Sequence, residues 1–159
     1  MRLHSVPRWT ALLALSLMIG QGYAQSTAEV PQRRNFDDMF AQEHPSGRFM
    51  DQGIEVMSPS PLVAVEAVVH GDVYRCKTGA LKRFMRDQPA LVDPIANTNF
   101  CVRLRSRKGQ TVTAYVHDRA APDLKQAEGS GVWLDLVGYY LYYSHERHQP
   151  ILLITRIGR

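Results

Sequence analysis

Residues 101–117 constrain this chain more than any other stretch, because their side chains alternate along the run. Val102 and Leu104 alternate with Arg103, Arg105 and Arg107. After Lys108-Gly109, Val112, Ala114 and Val116 alternate with Thr111, Thr113, Tyr115 and His117. A period of two marks a half-buried strand, and two such runs about a short glycine-containing turn form an antiparallel hairpin. One face of this hairpin is apolar and the other carries three arginines, two threonines, a tyrosine and a histidine. A lone hairpin is only marginally stable in water, so the rest of the chain must supply a sheet around it.

Residues 62–70 are rich in β-branched side chains, Gly71 interrupts them, and Val73-Tyr74-Arg75-Cys76 follows. This reads as one long strand bent at the glycine. Leu81, Phe84 and Met85 then recur at helical spacing, with Lys82, Arg83 and Arg86 on the opposite side. That short amphipathic helix should end before Pro89, leaving residues 89–99 as loop. Residues 118–128 carry a second set of helix signals, with Pro122 suited to the first turn and Gly129 to the stop. Two strands close the chain, 132–143 and 151–157, joined by a polar turn over 144–150. Strict alternation in the first of them places Tyr140 and Tyr142 on one face and Tyr139, Leu141 and Tyr143 on the other, one set in the core and one on the outer wall.

The start of the chain is of a different kind. Arg2, His4 and Arg8 precede an apolar run over 11–20, and Gly22-Tyr23-Ala24 places small residues at −3 and −1 before Gln25. Residues 1–24 therefore read as a cleavable signal peptide. A retained anchor is the competing reading, although the run is shorter than the ~20 residues that span a bilayer. Cleavage removes Arg2 and Arg8 from the 19 Lys and Arg and none of the 15 Asp and Glu, so the mature net charge is +2. Between residues 72 and 119, ten Lys and Arg stand against four Asp. Residues 25–61 have the opposite bias and hold Pro31, Pro45, Pro59 and Pro61, which suits a flexible acidic arm or linker. Within it Phe36, Met39 and Phe40 follow Asn35 at helical spacing, a short apolar face that would dock on its own domain or fray, with docking on a partner as the lesser alternative.

Cys76 and Cys101 are the only cysteines. In an oxidising compartment the pair reads as a disulfide, with two free thiols as the alternative. Antiparallel pairing of the first two strands would bring these residues together and clip the intervening helix to the sheet.

The element order over 62–159 (strand, insertion, strand, strand, helix, strand, strand) resembles that of OB-fold proteins, and especially the small exported bacterial ones. The fold expected is all-β with short helices: a five-stranded OB-fold-like Greek-key barrel with a disulfide-clipped helical insertion between strands 1 and 2. The resemblance implies a ligand face on the second and third strands, hence Arg103, Arg105, Arg107, Thr113, Tyr115 and His117, extended by Lys82 and Arg83. Guanidinium groups beside a tyrosine suit an anionic chain, whereas outward charge that merely keeps a small barrel soluble is the plainer account. Exposed tyrosines near Trp133 are a second candidate contact surface.

No catalytic constellation stands out, and neither a metal nor a cofactor is expected. In His145-Glu146-Arg147-His148 the histidines are three apart in a turn, with no third ligand evident. The expected function is a non-enzymatic periplasmic or secreted binding and assembly module of an envelope-associated complex. Its partner would be an envelope protein or an anionic polymer, with no transmembrane segment after signal cleavage. The runner-up is a single-stranded nucleic-acid binder serving DNA uptake or conjugation, whose affinity would fall steeply with salt.

Overall fold

The computed structural model describes residues 29–40, 47–50, 54–57, 59–84 and 88–158. Residues 1–24, expected to be a signal peptide, lie outside this set, as do Met85 and Arg86. The described chain is mostly β. Its strands are β1 (Gln32–Arg33), β2 (Gly47–Met50), β3 (Ile54–Met57), β4 (Leu62–Val69), β5 (Tyr74–Arg75), β6 (Thr98–Arg105), β7 (Thr111–His117), β8 (Trp133–Ser144) and β9 (Gln149–Ile157). The α-helices are α1 (Gly79–Phe84), α2 (Val92–Ala96) and α3 (Ala121–Gln126).

All nine strands join one mixed sheet in the order β1-β4-β6-β7-β9-β8-β3-β2, with β5 paired to β6. β4 pairs β8 from Leu62↔Tyr139 to Val68↔Trp133, and its last two residues pair β6. The path of pairings β4–β6–β7–β9–β8 therefore returns to β4. Every step in it is antiparallel except β7 with β9. Where five strands were expected the sheet has nine, because β1, β2, β3 and β5 extend it.

The expected hairpin is β6–β7, in register from Arg105↔Thr111 to Cys101↔Tyr115. Gly109 in its turn has φ +83, a left-handed conformation that favours glycine. Gly71, with φ +102, separates β4 from β5 where the bend was expected. Pro122 lies in the first turn of α3, and Gly129 follows the helix with φ +67. Gly138 is required for a different reason, since a Cβ there would lie 2.9 Å from the Ile154 Cα on β9.

The main core lies inside the sheet. Val63, Val65, Ala67 and Val69 of β4 meet Val102, Leu104, Val112, Ala114 and Val116 of the hairpin, Leu124 of α3, and Leu136, Leu152 and Ile154 of β8 and β9. A second cluster lies on the outer wall, where Leu81, Leu91 and Ile95 of the insertion cover Leu141, Tyr142, Ile151 and Leu153, with Tyr115 and Tyr139 packed beside them. Residues 89–99 are thus not plain loop. A 3-10 turn at Pro89–Leu91 leads into α2, and Leu91 and Ile95, four apart, point together into the second cluster. Cys76 and Cys101 form the expected disulfide, bridging a sequence separation of 25.

Two expectations need correction. Phe36 and Met39, placed in the arm, are 3% exposed and belong to the main core. Met39 sits on a 3-10 helix, Asp37–Phe40, that Phe36 immediately precedes and whose Asp37 Oδ1 accepts the Lys108 amide; β1 just before it pairs in parallel with β4, and β3 pairs with β8. The described parts of that segment are built into the domain. The tyrosine alternation also fails. Tyr140 and Tyr143 enter the main core while Leu141 and Tyr142 enter the second. A register shift of β8 against β9 between Tyr140 and Tyr142 supplies the extra residue that resets the alternation. No outer wall of tyrosines results, because β3, α1 and α2 cover that side.

Candidate functional site

The residues expected to bind divide into three groups. Arg103 and Arg105 are exposed on the outer side of β6, opposite Thr113 and Thr111 of β7. Two residues along a strand is about 7 Å, so the two guanidinium stems rise from the same side at that spacing. Neither makes an ion pair among the described residues. This is the part of the predicted face that the fold leaves open.

Arg107, next in the series, is held. Its Nη2 donates to Glu66 Oε1 and Oε2 at 2.8 Å and its Nε donates to Oε2 at 3.1 Å. The same guanidinium lies 4.6 Å from the centroid of the Trp133 ring. Arg33 of β1 likewise donates to Asp135 of β8 at 3.0 Å. Asp135 and Glu66 face each other across β8 and β4. A paired lattice, Arg33–Asp135 beside Glu66–Arg107, therefore occupies the neighbouring surface and is close to neutral. A cleft of about 330 Å³ lined by Arg33, Arg34, Asn35, Phe36, Asp37, Glu66 and Arg107 opens beside it.

Tyr115 and His117 are not presented to solvent with the arginines. Tyr115 is half-buried in the second cluster, beneath the insertion that the disulfide fastens. His117 is 7% exposed, and its Nδ1 accepts the Arg119 amide at 3.1 Å. Alternation told which side of the sheet these residues take, and the insertion then covered Tyr115. Lys82 is exposed on α1, and the side chain of Arg83 lies outside the described residues.

The histidine turn has a specific role that its spacing did not foretell. His145 Nε2 lies 3.1 Å from Oε2 of Glu55, a residue only 6% exposed on β3. Among the described residues no group of three His, Cys, Asp or Glu is placed to hold a metal. A second cleft, of about 520 Å³, lies between the start of α3 and the end of β9, lined by Arg119, Ala120, Asp123, Thr155, Arg156 and Ile157.

Sequence reasoning missed Glu66 as the partner of Arg107, although it is the one charged residue in an otherwise apolar strand. Tyr74 was also overlooked. It is 47% exposed and stands opposite Cys101, on the same side of the sheet as Arg103. No helix among the described residues is long and apolar enough to cross a membrane. No protein-family model, curated protein or solved structure matches the chain.

Proposed function

We propose that this chain is an exported, non-enzymatic binding and assembly module, acting in the periplasm or outside the cell as a component of an envelope-associated complex. Its frame is read as an OB-type five-strand barrel of β4, β6, β7, β9 and β8, elaborated by the outer strands and the insertion. The returning path of pairings, the parallel step between β7 and β9, and the placement of α3 between β7 and β8 support that reading. Export is supported by the signal-like leader and by the disulfide. A non-enzymatic role is consistent with His145 and His117 being engaged in contacts within the fold.

One observation carries the binding role: Arg103 and Arg105 stand exposed on one side of β6 with no ion pair among the described residues, while Arg33 and Arg107 nearby are both paired. Two like charges about 7 Å apart repel, and an anionic partner relieves that cost. The test is affinity capture from envelope extracts by the chain starting at Gln25, compared with its Arg103→Glu/Arg105→Glu variant. A stable partner held by the first and lost by the second supports the proposal. Equal recovery by both overturns it.

A second reading, single-stranded nucleic acid, draws on exposed Tyr74 beside the same arginines. Binding of oligo-dT that falls steeply with salt is its signature. Absence of binding at low salt removes it.

A further inference from the structure

Trp133 opens β8 at 37% exposure, and Val132 before it is 54% exposed. Pairing sets Trp133, Val68, Arg105 and Thr111 in one row across four strands, β8, β4, β6 and β7. Val68 belongs to neither core cluster, points outward with this row, and is still only 3% exposed. Side chains above it must therefore close over it. Its cross-strand neighbour is Trp133, whose ring is stacked by the Arg107 guanidinium, which also donates to Glu66. The indole is thus set in position before any partner arrives, and part of it still meets water. Interfaces concentrate binding energy on rigid aromatic side chains with arginine beside them, because little order remains to be imposed when they dock.

The charge around the indole says what would dock there. Beside Trp133 the charges cancel within the protein, Glu66 with Arg107 and Asp135 with Arg33. Positive charge in excess begins at Arg105 and continues to Arg103. A ligand for this surface must therefore be apolar where it meets Val132 and Trp133 and anionic where it meets Arg105 and Arg103. A uniformly charged polyanion fails the first condition, since it has no apolar group to place on Val132 and Trp133. An extended peptide meets both, because alternate residues along it recur at about the spacing of the two arginines.

We propose that Val132 and Trp133 anchor an extended acidic segment of a partner protein, with Arg103 and Arg105 receiving its carboxylates. This inference rests on the reading of Arg103 and Arg105 as a binding surface. Trp9 leaves with the leader, so Trp133 is the sole tryptophan of a chain starting at Gln25 and its emission reports the site directly. Three labelled probes serve for titration: a dodecapeptide whose alternate residues are Leu in one half and Asp in the other, with Ser between them, a dodecamer of Asp, and oligo-dT of the same length. The mixed peptide should saturate, shift Trp133 emission to the blue, and bind at least about 10-fold tighter than oligo-Asp. Trp133→Ala, and independently Val132→Asp at an exposed position outside both clusters, should erase that preference. Arg103→Gln/Arg105→Gln should weaken both peptides.

Equal affinity for the two peptides with unchanged emission overturns the anchor and leaves the arginine surface standing. Preference for oligo-dT also overturns it, in favour of nucleic acid. No binding of any probe at low salt overturns the anchor and the arginine surface together.

Discussion

The carboxylate of Glu55 meets the Nε2 of His145 at 3.1 Å, joining β3 to the turn between β8 and β9. The His145 and Tyr143 rings also meet in a T-shaped contact, 5.0 Å between centroids at 74°. Tyr143 in turn donates from its hydroxyl to the Phe40 carbonyl at 3.0 Å. Three segments far apart in sequence therefore converge at one polar contact against the core.

That convergence predicts a large asymmetry between two substitutions. His145→Ala leaves the Glu55 carboxylate buried without its imidazole partner and should cost about 1–3 kcal/mol. Glu55→Gln leaves a neutral amide that keeps hydrogen-bonding capacity, and should cost less. Urea unfolding of both single variants and the double variant gives the coupling. A coupling below about 0.5 kcal/mol would show that the contact does not hold β3 in place.

Phe36 makes a sharper test of how the segment before β4 is used. At 3% exposure within the main core, Phe36→Ala should destabilise by about 3–5 kcal/mol. A true linker residue would change stability by no more than about 0.5 kcal/mol. Denaturant unfolding of the variant separates these outcomes directly.

What could be read beforehand follows from how local each signal is. The β6–β7 hairpin was legible because period-two alternation and Gly109 act within the segment itself. Gly71 and Gly129 were legible for the same reason, each marking a positive φ next to a strong run. Phe36 and Met39 were legible as an apolar face, with their own domain among its destinations, but the residues they pack with were not, since that core is assembled from remote strands. The two residues of β1 are too few to show any period. The tyrosine run misled because alternation presumes an unbroken ladder, and the shift between Tyr140 and Tyr142 breaks it. At the site, alternation placed Arg103 and Arg105 outward correctly. It had no means of showing that α1 and α2 would fold over Tyr115, or that Glu66 would neutralise Arg107.

The Cys76–Cys101 bridge closes the loop that carries α1 and α2. By loop-closure entropy a bridge of this separation contributes about 3.5 kcal/mol, much of a small domain's stability. Intact mass should rise by about 2 Da on reduction. The Cys76→Ala/Cys101→Ala variant should lose stability and show faster amide exchange first in residues 77–97, whose Leu81, Leu91 and Ile95 cover the second cluster. Unchanged exchange there would mean that packing alone holds the insertion.

Four tyrosines should make the fold sensitive to alkali. Burial pushes the Tyr140 hydroxyl well above its ordinary value of 10.0, with the Glu55 carboxylate and Tyr143 adding to the rise and Arg34 opposing it. Burial does the same to Tyr142, reinforced by Tyr115 and partly offset by Arg147. Tyr139 and Tyr143 are raised by burial too, Tyr139 also by Glu29. Above about pH 10 the unfolded chain releases phenolic protons that the folded chain still holds, so the unfolded state gains free energy of ionisation and stability falls. The limiting slope is about 1.4 kcal/mol per pH unit for each tyrosine so held. Urea midpoints should therefore be flat near pH 8 and decline steeply by about pH 11, with absorbance at 295 nm rising in step with unfolding. Tyr142→Phe removes one of the raised hydroxyls and should make that decline shallower. A midpoint unchanged across the range would mean that these phenols ionise in place, and that the clusters enclosing them admit water.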